Sequence, residues 1–441
     1  MHGLACPRCF AALDDLKCRA CSVNYSKLGN VFWMWPEPVE TLLDWRNRFN
    51  FHLAKVASEV TRARSAPSKL TQSRTQIFAD HLDRYVEELH TILAPFNISE
   101  PLAPELHTAL KTQLPTHHSL DAYNPNIFRD WVWGDEENVE TCRLIKESVG
   151  THITGTPSLL VLGAGAGRLT LDLHRAMSCA TSWSLDSNPL LSSIAASMFF
   201  GNALELTEFP LAPRDDEAIL HKLTAPESHQ AQLHAVCGDA MCAPFLANTF
   251  DIVVTSWLVD VIDAPIQEML KHVSSLLKPG GVWVMHGSLH FESADPNLRY
   301  KSSELGAIAE DIGFTVQMQA NTELPYMQSP YSRQRRSELT HTMVCTIDRP
   351  LQERPRSVSW HPQWLNDVTL PVPMTDEFQT QITSTRVANF IMGLIDGKRS
   401  IDDMAGVMEA QRLMPKLDAL EAIRNFLQKM QSERLEQQRR S

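Results

Sequence analysis

The sequence predicts an α/β fold in which a mostly parallel sheet is covered by helices, and two observations predict it. Between residues 100 and 350, short apolar runs alternate with stretches of helical periodicity, which is the pattern of strands joined by crossover helices. The apolar run 159–162 leads into a turn with glycines at 163, 165 and 167. Such a turn is typical where a strand passes into a helix and a ligand approaches the backbone.

Composition limits the class of protein. Of the 441 residues, 43% are hydrophobic and 21% are charged, as in soluble globular proteins, and this length predicts on the order of two to four domains. The sequence has no run of 18 apolar residues and no basic segment leading into an apolar one at its start, so we expect neither a membrane span nor a signal peptide. The net charge of −12 argues against broad electrostatic binding of nucleic acid and leaves room for a local basic face.

The chain is predicted to have five regions. These are a cysteine-rich segment 1–38, a helical region 39–99, the α/β core 100–350, a proline-rich linker 351–373 and a small helical domain 374–441. The strands predicted within the core are 159–162, 182–185, 233–236, 252–255, 282–286 and 342–347. A segment rich in proline and acidic residues, 209–227, is predicted to be an insertion between the second and third strands.

The first region carries two C-x-x-C motifs, Cys6 to Cys9 and Cys18 to Cys21, separated by eight residues. Four thiolates at this spacing can converge tetrahedrally on Zn²⁺, and four sulfur ligands leave no open position, so the metal would be structural. A segment this short cannot bury enough apolar surface to fold alone, which favours a metal. A redox dithiol and unmetalled cysteines are the alternatives. Because four of the nine cysteines have metal spacing, we expect a reducing, cytoplasmic location rather than a disulfide framework.

The glycine turn predicts a ligand that carries a ribose. Asp186 stands 23 residues after Gly163, at the end of the next predicted strand, where an acid is placed to bind ribose hydroxyls. Dinucleotide sites favour G-x-G-x-x-G, whereas this turn reads G-x-G-x-G and continues with Arg168. A glycine turn without a ligand, with Asp186 as a cap at the strand end, is the structural alternative.

Three further motifs follow the turn in order: Cys237-Gly-Asp239-Ala240, the strand that leads to Trp257, and Lys278-Pro-Gly-Gly281. With the glycine turn they resemble the class I S-adenosylmethionine-dependent methyltransferases, which have a Rossmann-like fold. In that class the acid after the third strand accepts from the adenine amino group, and the end of the fourth strand faces the transferred methyl. The resemblance implies a cofactor site made of Gly163, Ala164, Gly165, Gly167, Arg168, Asp186, Asp239, Ala240, Trp257 and Trp131.

The cysteine-rich segment resembles a known class of zinc module. Its sequence from Leu4 through Phe32 is similar to the short zinc ribbons related to the activator subunit of tRNA and protein methyltransferases, which also occur fused in front of methyltransferase domains. The ribbon and the glycine turn therefore point to the same chemistry.

A closer resemblance rests on Phe128-Arg-Asp130-Trp131, Trp257-Leu-Val-Asp260 and Gly287-Ser-Leu-His290. This set is similar to the carnosine N-methyltransferase family, which methylates an imidazole nitrogen of a histidine-containing dipeptide. The resemblance implies that Asp260 and His290 contact the acceptor imidazole as catalytic residues. The tyrosines of the family's last strand are absent from the comparable stretch 338–343, which leaves the acceptor open.

Each of these residues also has a structural interpretation. Asp260 could cap the helix after Pro265, His290 could be a loop histidine bonded to backbone, and Trp131 could be plain core. The functional interpretation is that a carboxylate fixes the tautomer of the acceptor imidazole and that the neutral nitrogen attacks the methyl in line.

The last region reads as a helix, an Asp-Gly turn at Gly397, a helix capped by Ser400 and a third helix. It resembles the small winged-helix peptide chaperone of pyrroloquinoline-quinone biosynthesis, which implies a peptide partner; a structural helical cap is the alternative. The sequence therefore predicts an S-adenosylmethionine-dependent N-methyltransferase acting on a small imidazole- or amine-bearing molecule or dipeptide. A peptide or protein methyltransferase, and a non-catalytic zinc-ribbon scaffold, are the alternatives.

Overall fold

A computed structural model of the chain describes residues 3–65, 68–97, 120, 123–150, 152–226, 232–262, 264–291, 293, 295–351, 354, 364 and 369–440. The chain divides into two units, Met1–Val358 and Ser359–Ser441. No helix among these residues is both long enough and apolar enough to cross a membrane.

The first unit is built on a nine-stranded sheet. Its strands and those of two small hairpins are β1 (Lys17–Cys18), β2 (Val23–Asn24), β3 (Ser26–Leu28), β4 (Val31–Trp33), β5 (Ser158–Leu162), β6 (Thr181–Asp186), β7 (Leu204–Glu208), β8 (Ile219–Leu223), β9 (Leu233–Cys237), β10 (Phe250–Ser256), β11 (Leu277–Gly287), β12 (Thr315–Tyr326) and β13 (Arg336–Ile347). The order across the main sheet is β12-β13-β11-β10-β5-β6-β9-β4-β3, while β1 pairs with β2 and β7 with β8.

Helices cover the sheet and connect its strands. They are α1 (Pro38–Arg64), α2 (Gln72–Ile92), α3 (Asn124–Phe128), α4 (Asp135–Val149), α5 (Arg168–Ala176), α6 (Pro189–Phe199), α7 (Ile266–Leu276) and α8 (Ser302–Ile312), with a π-helical turn at Arg129–Trp133. The six predicted strands and the α/β class are confirmed.

The centre of the sheet places the glycine turn. All five residues of β5 are buried, as expected for a parallel strand covered on both faces. From β5 the chain winds outward through β6 and β9 in one direction and through β10 and β11 in the other. Ligands of doubly wound sheets bind at the carboxyl ends of the strands where this reversal occurs, and the glycine turn follows β5 at that point.

Both edges of the sheet hold strands that the sequence did not predict there. At one edge β4 pairs in parallel with β9 and antiparallel with β3, so the end of the cysteine-rich segment extends the main sheet. At the other edge β12 forms an antiparallel hairpin with β13. The predicted insertion 209–227 is partly a hairpin, since its strand β8 pairs with β7.

The second unit consists of α9 (Asp376–Leu394), α10 (Ile401–Ala410) and α11 (Lys416–Arg440). A small apolar core that includes Ile391, Met404 and Ile423 joins them. The Ser400 hydroxyl accepts from the Asp403 N–H at 3.1 Å, which is the predicted cap of α10. Strands are not found among residues 369–440, so the structure supplies the helices of the predicted module and no wing.

Candidate active site

The three glycines of the turn have left-handed backbones, with φ of +68° at Gly163, +57° at Gly165 and +91° at Gly167. A Cβ on Gly167 would lie 2.7 Å from the Cβ of Ala195, so this glycine lets α5 start close against α6. At Gly165 the nearest atom would be 3.8 Å away, at Asp130 Oδ2. Packing therefore requires a glycine at position 167, whereas the space beside Gly165 is open to a ligand.

Asp186 ends β6 beside this space. Its carboxylate accepts from the Gly165 N–H at 2.9 Å and from the Asn188 N–H at 2.8 Å. Burial raises its pKa to about 6 in spite of these hydrogen bonds, and the nearby Asp130 carboxylate adds to the rise. Asp186 thus fixes the shape of the glycine turn, and its remaining lone pairs are available to ribose hydroxyls.

Arg168 and Trp131 hold the turn from the other side. The Arg168 guanidinium donates to the Asp130 carbonyl at 2.9 Å and to the Asp172 carboxylate at 2.9 Å, and it lies 5.8 Å from the centre of the Trp131 ring. The Trp131 indole donates to the Ala166 carbonyl at 2.9 Å and is 6% exposed. Trp131 is therefore a core residue whose indole N–H also holds the glycine turn.

Asp239 and Ala240 follow β9 at the same edge of the sheet. The Asp239 carboxylate accepts from the Met241 N–H at 2.8 Å, and burial raises its pKa. The neighbouring Gly238 touches the cysteine-rich segment, because a Cβ there would lie 2.8 Å from the Met34 carbonyl oxygen. The loop that carries Asp239 therefore rests on the strand that the segment adds to the sheet.

The carboxyl ends of β10 and β11 form the second half of the site. Trp257 has φ of +53°, and its N–H donates to the His286 carbonyl at 2.9 Å. Its ring stacks on Tyr326 with 4.3 Å between centroids. A Cβ on Gly287 would lie 3.0 Å from the Trp257 backbone, so glycine is needed for this approach.

Asp260 and His290 lie in neighbouring loops and meet. The His290 N–H donates to Asp260 Oδ2 at 3.1 Å, and burial raises the pKa of Asp260. Asp260 does not cap α7, which begins at Ile266 after Pro265. Asp260 thus bonds the backbone of a neighbouring loop instead of capping a helix, and His290 takes part in this contact through its backbone N–H.

Sequence reasoning missed a buried group of charges under the turn. Arg129 forms ion pairs with Asp130 at 2.7 Å and Glu137 at 3.4 Å, and both carboxylates raise its pKa. Glu137 also accepts from the Met327 N–H at 2.8 Å, next to Tyr326. The run Arg129-Asp-Trp-Val-Trp, with charged and aromatic residues in a π-helical turn, is the signal that could have pointed to it, because such turns recur at functional sites.

The four cysteine sulfur atoms of the first segment lie within 4.8 Å of one another, and Cys6 and Cys18 are buried. Tetrahedral Zn²⁺ with Zn–S near 2.3 Å needs sulfur atoms about 3.8 Å apart. Cys9 and Cys18 already stand at 3.5 Å. The set therefore fits a structural zinc ion, and its four ligands would leave no position for substrate.

Known proteins provide a comparison for this geometry. Residues 214–346 match the family model of carnosine N-methyltransferase. No curated protein matches the chain. The YcgJ protein of Bacillus subtilis has 14% identity and a TM-score of 0.33, covering 48% of this chain and 100% of its own. An S-adenosylmethionine-dependent methyltransferase from Clostridium acetobutylicum has 14% identity and a TM-score of 0.34, covering 51% and 97%.

A further solved structure concerns a methyltransferase and an activator. It is a complex between the Haloferax volcanii Trm112 methyltransferase activator and a methyltransferase, with 14% identity and a TM-score of 0.36, covering 53% of this chain and 99% of the matched chain. The family match and the strand order of the sheet together confirm the predicted enzyme class, an S-adenosylmethionine-dependent methyltransferase.

Proposed function

We propose that this methyltransferase transfers its methyl group to a nitrogen, and that the acceptor is an imidazole- or amine-bearing small molecule or dipeptide. The observation that carries the proposal is the contact between Asp260 and the His290 loop at the ends of β10 and β11. It lies within the segment that matches the carnosine N-methyltransferase family. A carboxylate at this place suits an acceptor that presents a ring N–H.

The cofactor would occupy the space beside Gly165. We assign the ribose hydroxyls to Asp186 and the adenine amino group to Asp239, both half-buried carboxylates at strand ends. Gly163, Ala164 and Gly167 would shape the backbone of the cradle, while Arg168 and Trp131 hold it. Ala240 and Trp257 would close it. The bound sulfonium supplies an electrophilic methyl, so the protein has mainly to align a nucleophile with it.

Asp260 would orient the acceptor. An imidazole attacks through its neutral nitrogen, so the proton must stand on the other ring nitrogen, and a carboxylate that accepts from that N–H selects this tautomer. Burial raises the pKa of Asp260 and so brings it closer to the range in which it can take up the released proton. His290 would line the same pocket from the loop after β11.

Trp257 and Tyr326 would form an aromatic wall for this ring. Trp257 stacks on Tyr326 and precedes Asp260 by three residues in the chain. Methylation of a neutral imidazole gives a cation, and the faces of Trp and Tyr attract cations by roughly 0.5–2 kcal/mol. The wall would therefore favour the charge that develops during transfer.

We further propose that Cys6, Cys9, Cys18 and Cys21 bind a structural zinc ion and that the protein works in the cytoplasm. The sulfur geometry supports the metal. The five remaining cysteines are buried, which suits a reducing compartment.

The test measures binding and turnover separately. Calorimetry with S-adenosylmethionine should show saturable binding, and methyl transfer should be detected with carnosine or a related histidine dipeptide. Asp260→Ala should lower kcat/KM about 100- to 10,000-fold and leave cofactor affinity unchanged. The matched control is Asp311→Ala, which removes an exposed carboxylate on α8. Full turnover by both Asp260→Ala and His290→Ala would contradict the assignment.

A peptide or protein acceptor is a second candidate. The second unit leaves large apolar side chains exposed, including Met392, Ile395 and Ile401, and such side chains can bind a peptide. Deletion of residues 374–441 separates the two candidates. Loss of activity towards peptides with unchanged activity towards dipeptides would favour the second.

A further inference from the structure

Two hairpin loops pack against each other above the acceptor end of the sheet. The loop between β7 and β8 meets the loop between β12 and β13 through main-chain hydrogen bonds. Arg214 N–H donates to the Tyr331 carbonyl at 2.8 Å, and Arg333 N–H donates to the Ala212 carbonyl at 2.9 Å. The Ser332 hydroxyl donates to the Leu211 carbonyl at 2.5 Å. These reciprocal bonds hold the loops in one arrangement.

A cleft of roughly 480 Å³ opens between the loops, lined by Arg214, Asp215, Ser332, Arg333 and Arg335. Two of its arginines are fixed by backbone oxygens: Arg214 donates to the Pro330 carbonyl at 3.1 Å, and Arg333 to the Pro213 carbonyl at 3.0 Å and the Arg214 carbonyl at 2.6 Å. Arg214 keeps guanidinium N–H groups beyond this one bond, and Arg335 donates to none of the residues that the structure describes. The guanidinium groups of Arg214 and Arg333 are thus held in place before a ligand arrives.

The charge of the cleft is not neutralised within the part of the chain that the structure describes. None of its three arginines has a carboxylate within ion-pair distance there, and Asp215, the one acidic residue in the lining, pairs with none of them. The protein carries a net charge of −12, so a concentration of three unpaired guanidinium groups is a local exception. Guanidinium groups recognise oxyanions through paired N–H donors.

The position of the cleft relates it to the acceptor. β13 runs antiparallel to β11, and β12 runs antiparallel to β13, so the β12–β13 loop leaves the sheet at the same end as Trp257, Asp260 and His290. The loop begins directly after Tyr326, which stacks on Trp257. Arg336, at the end of the loop, lies 5.0 Å from the centre of the Tyr326 ring. The cleft and the aromatic wall therefore lie at the same end of the sheet, joined by the β12–β13 hairpin.

We infer that this cleft binds an anionic group of the methyl acceptor, a carboxylate or a phosphate, while its nucleophilic nitrogen lies against Trp257 and Asp260. The inference rests on the proposed acceptor site and adds a requirement to it. The acceptor would need an oxyanion in addition to its nucleophilic nitrogen, as a dipeptide with a free carboxylate has. Three arginines at one cleft suit a single anionic group rather than a nucleic acid backbone.

The experiment compares carnosine with its carboxamide, which lacks only the negative charge. Calorimetry on the full chain should show carnosine binding about tenfold more tightly than the amide. Arg335→Gln should remove this difference without harming the fold, because Arg335 bonds nothing in the described residues. The matched control, Arg349→Gln, removes an exposed arginine beyond the far end of β13 and should keep the difference.

Inorganic phosphate is the second probe and makes the test independent of the acceptor. Phosphate should bind the wild type, compete with carnosine and bind more weakly to Arg335→Gln. Where carnosine binds, equal affinity for carnosine and its amide, or phosphate binding without competition, would overturn the inference. The absence of phosphate binding would overturn it in either case. If carnosine is neither bound nor methylated, the proposed acceptor fails while phosphate binding that depends on Arg335 still supports an anion cleft.

Discussion

The two halves of the candidate site are built in different ways. In the cofactor half, around β5, β6 and β9, each proposed ligand residue stands within a few residues of the end of its own strand, as Gly163, Asp186 and Asp239 do. In the acceptor half, Asp260 and His290 lie in two loops that meet, and the β12–β13 hairpin brings Tyr326 to Trp257. Local sequence therefore determines the first half, and long-range pairing determines the second.

This difference has a physical basis. The cofactor half would contact its ligand mainly through the backbone and through carboxylates at strand ends. It therefore needs glycines in left-handed conformations and acidic residues just after strands, and these residues form short motifs in the sequence. The acceptor half presents side chains, and their neighbours are set by which loops pack together. Changes in the first half should act on folding and cofactor affinity, and changes in the second half should act on the acceptor alone.

The largest effect is expected at Gly167. Alanine there would place its Cβ 2.7 Å from Ala195 Cβ in a left-handed backbone, which should cost about 3 kcal/mol or more in the free energy of unfolding. Chemical denaturation measures this. Gly165→Ala is the matched variant, since no atom lies within 3.4 Å of its Cβ. It should lower the free energy of unfolding by about 1–2 kcal/mol and should mainly weaken cofactor binding. Equal destabilisation by the two variants would contradict the packing role of Gly167.

Loss of zinc is expected to weaken cofactor binding, because β4 connects the cysteine-rich segment to the cofactor half. Cys18→Ser, or a chelator, should unfold the proposed zinc ribbon, release β4 from β9 and loosen the loop of Asp239. We expect the affinity for S-adenosylmethionine to fall about tenfold and zinc content to fall in parallel. Cys179→Ser, at a buried cysteine outside the ribbon, is the control. Unchanged affinity for S-adenosylmethionine in zinc-free protein would show that β4 stays paired with β9 without the metal.

Tyr326 tests the acceptor half by itself. Tyr326→Leu should raise KM for an imidazole acceptor about five- to tenfold, because the aromatic wall loses one ring. The dissociation constant of the cofactor should stay as it is. Tyr326→Phe keeps the ring and should behave like the wild type in steady-state kinetics. A change in cofactor affinity in Tyr326→Leu would mean that the two halves are coupled.

The smallest expected effect is a dependence of cofactor affinity on pH. The pKa of Asp186 is raised to about 6, and the ionised form accepts ribose hydroxyls better, so affinity should fall about three- to fourfold between pH 7 and 5.5. Stability has the opposite sign, because protonation of a buried acid with a raised pKa stabilises the free protein as pH falls from 6 towards 3.8. Asp186→Asn should abolish both slopes in calorimetry and thermal unfolding.

The sequence predicted the sheet core because its strands are apolar runs between turns. It did not predict β12, whose residues are mostly exposed and alternate at the sheet edge, so that strand leaves little apolar signal. Tyr326 was missed with it. The absence of tyrosines from 338–343 left the identity of the acceptor open, and the structure shows that Tyr326 of the neighbouring strand reaches Trp257.

Glu208 illustrates what sequence reasoning cannot reach. Its carboxylate accepts from His221 at 2.8 Å, from the Trp133 indole at 3.3 Å and from the Ser329 hydroxyl at 3.0 Å. These partners come from a hairpin, the π-helical turn and the β12–β13 loop. No motif joins them, because only the completed fold brings them together.

The pairing of β4 with β9 also constrains the order of folding. Val31 pairs with Ala235, about 200 residues later in the chain. During synthesis from the N-terminus, the cysteine-rich segment is complete long before its partner strand exists. Closing so long a loop is slow, and until then β4 presents an apolar strand edge that can pair with other chains. Early metal capture would keep the segment folded during this interval, so zinc supply during translation should govern the yield of native protein.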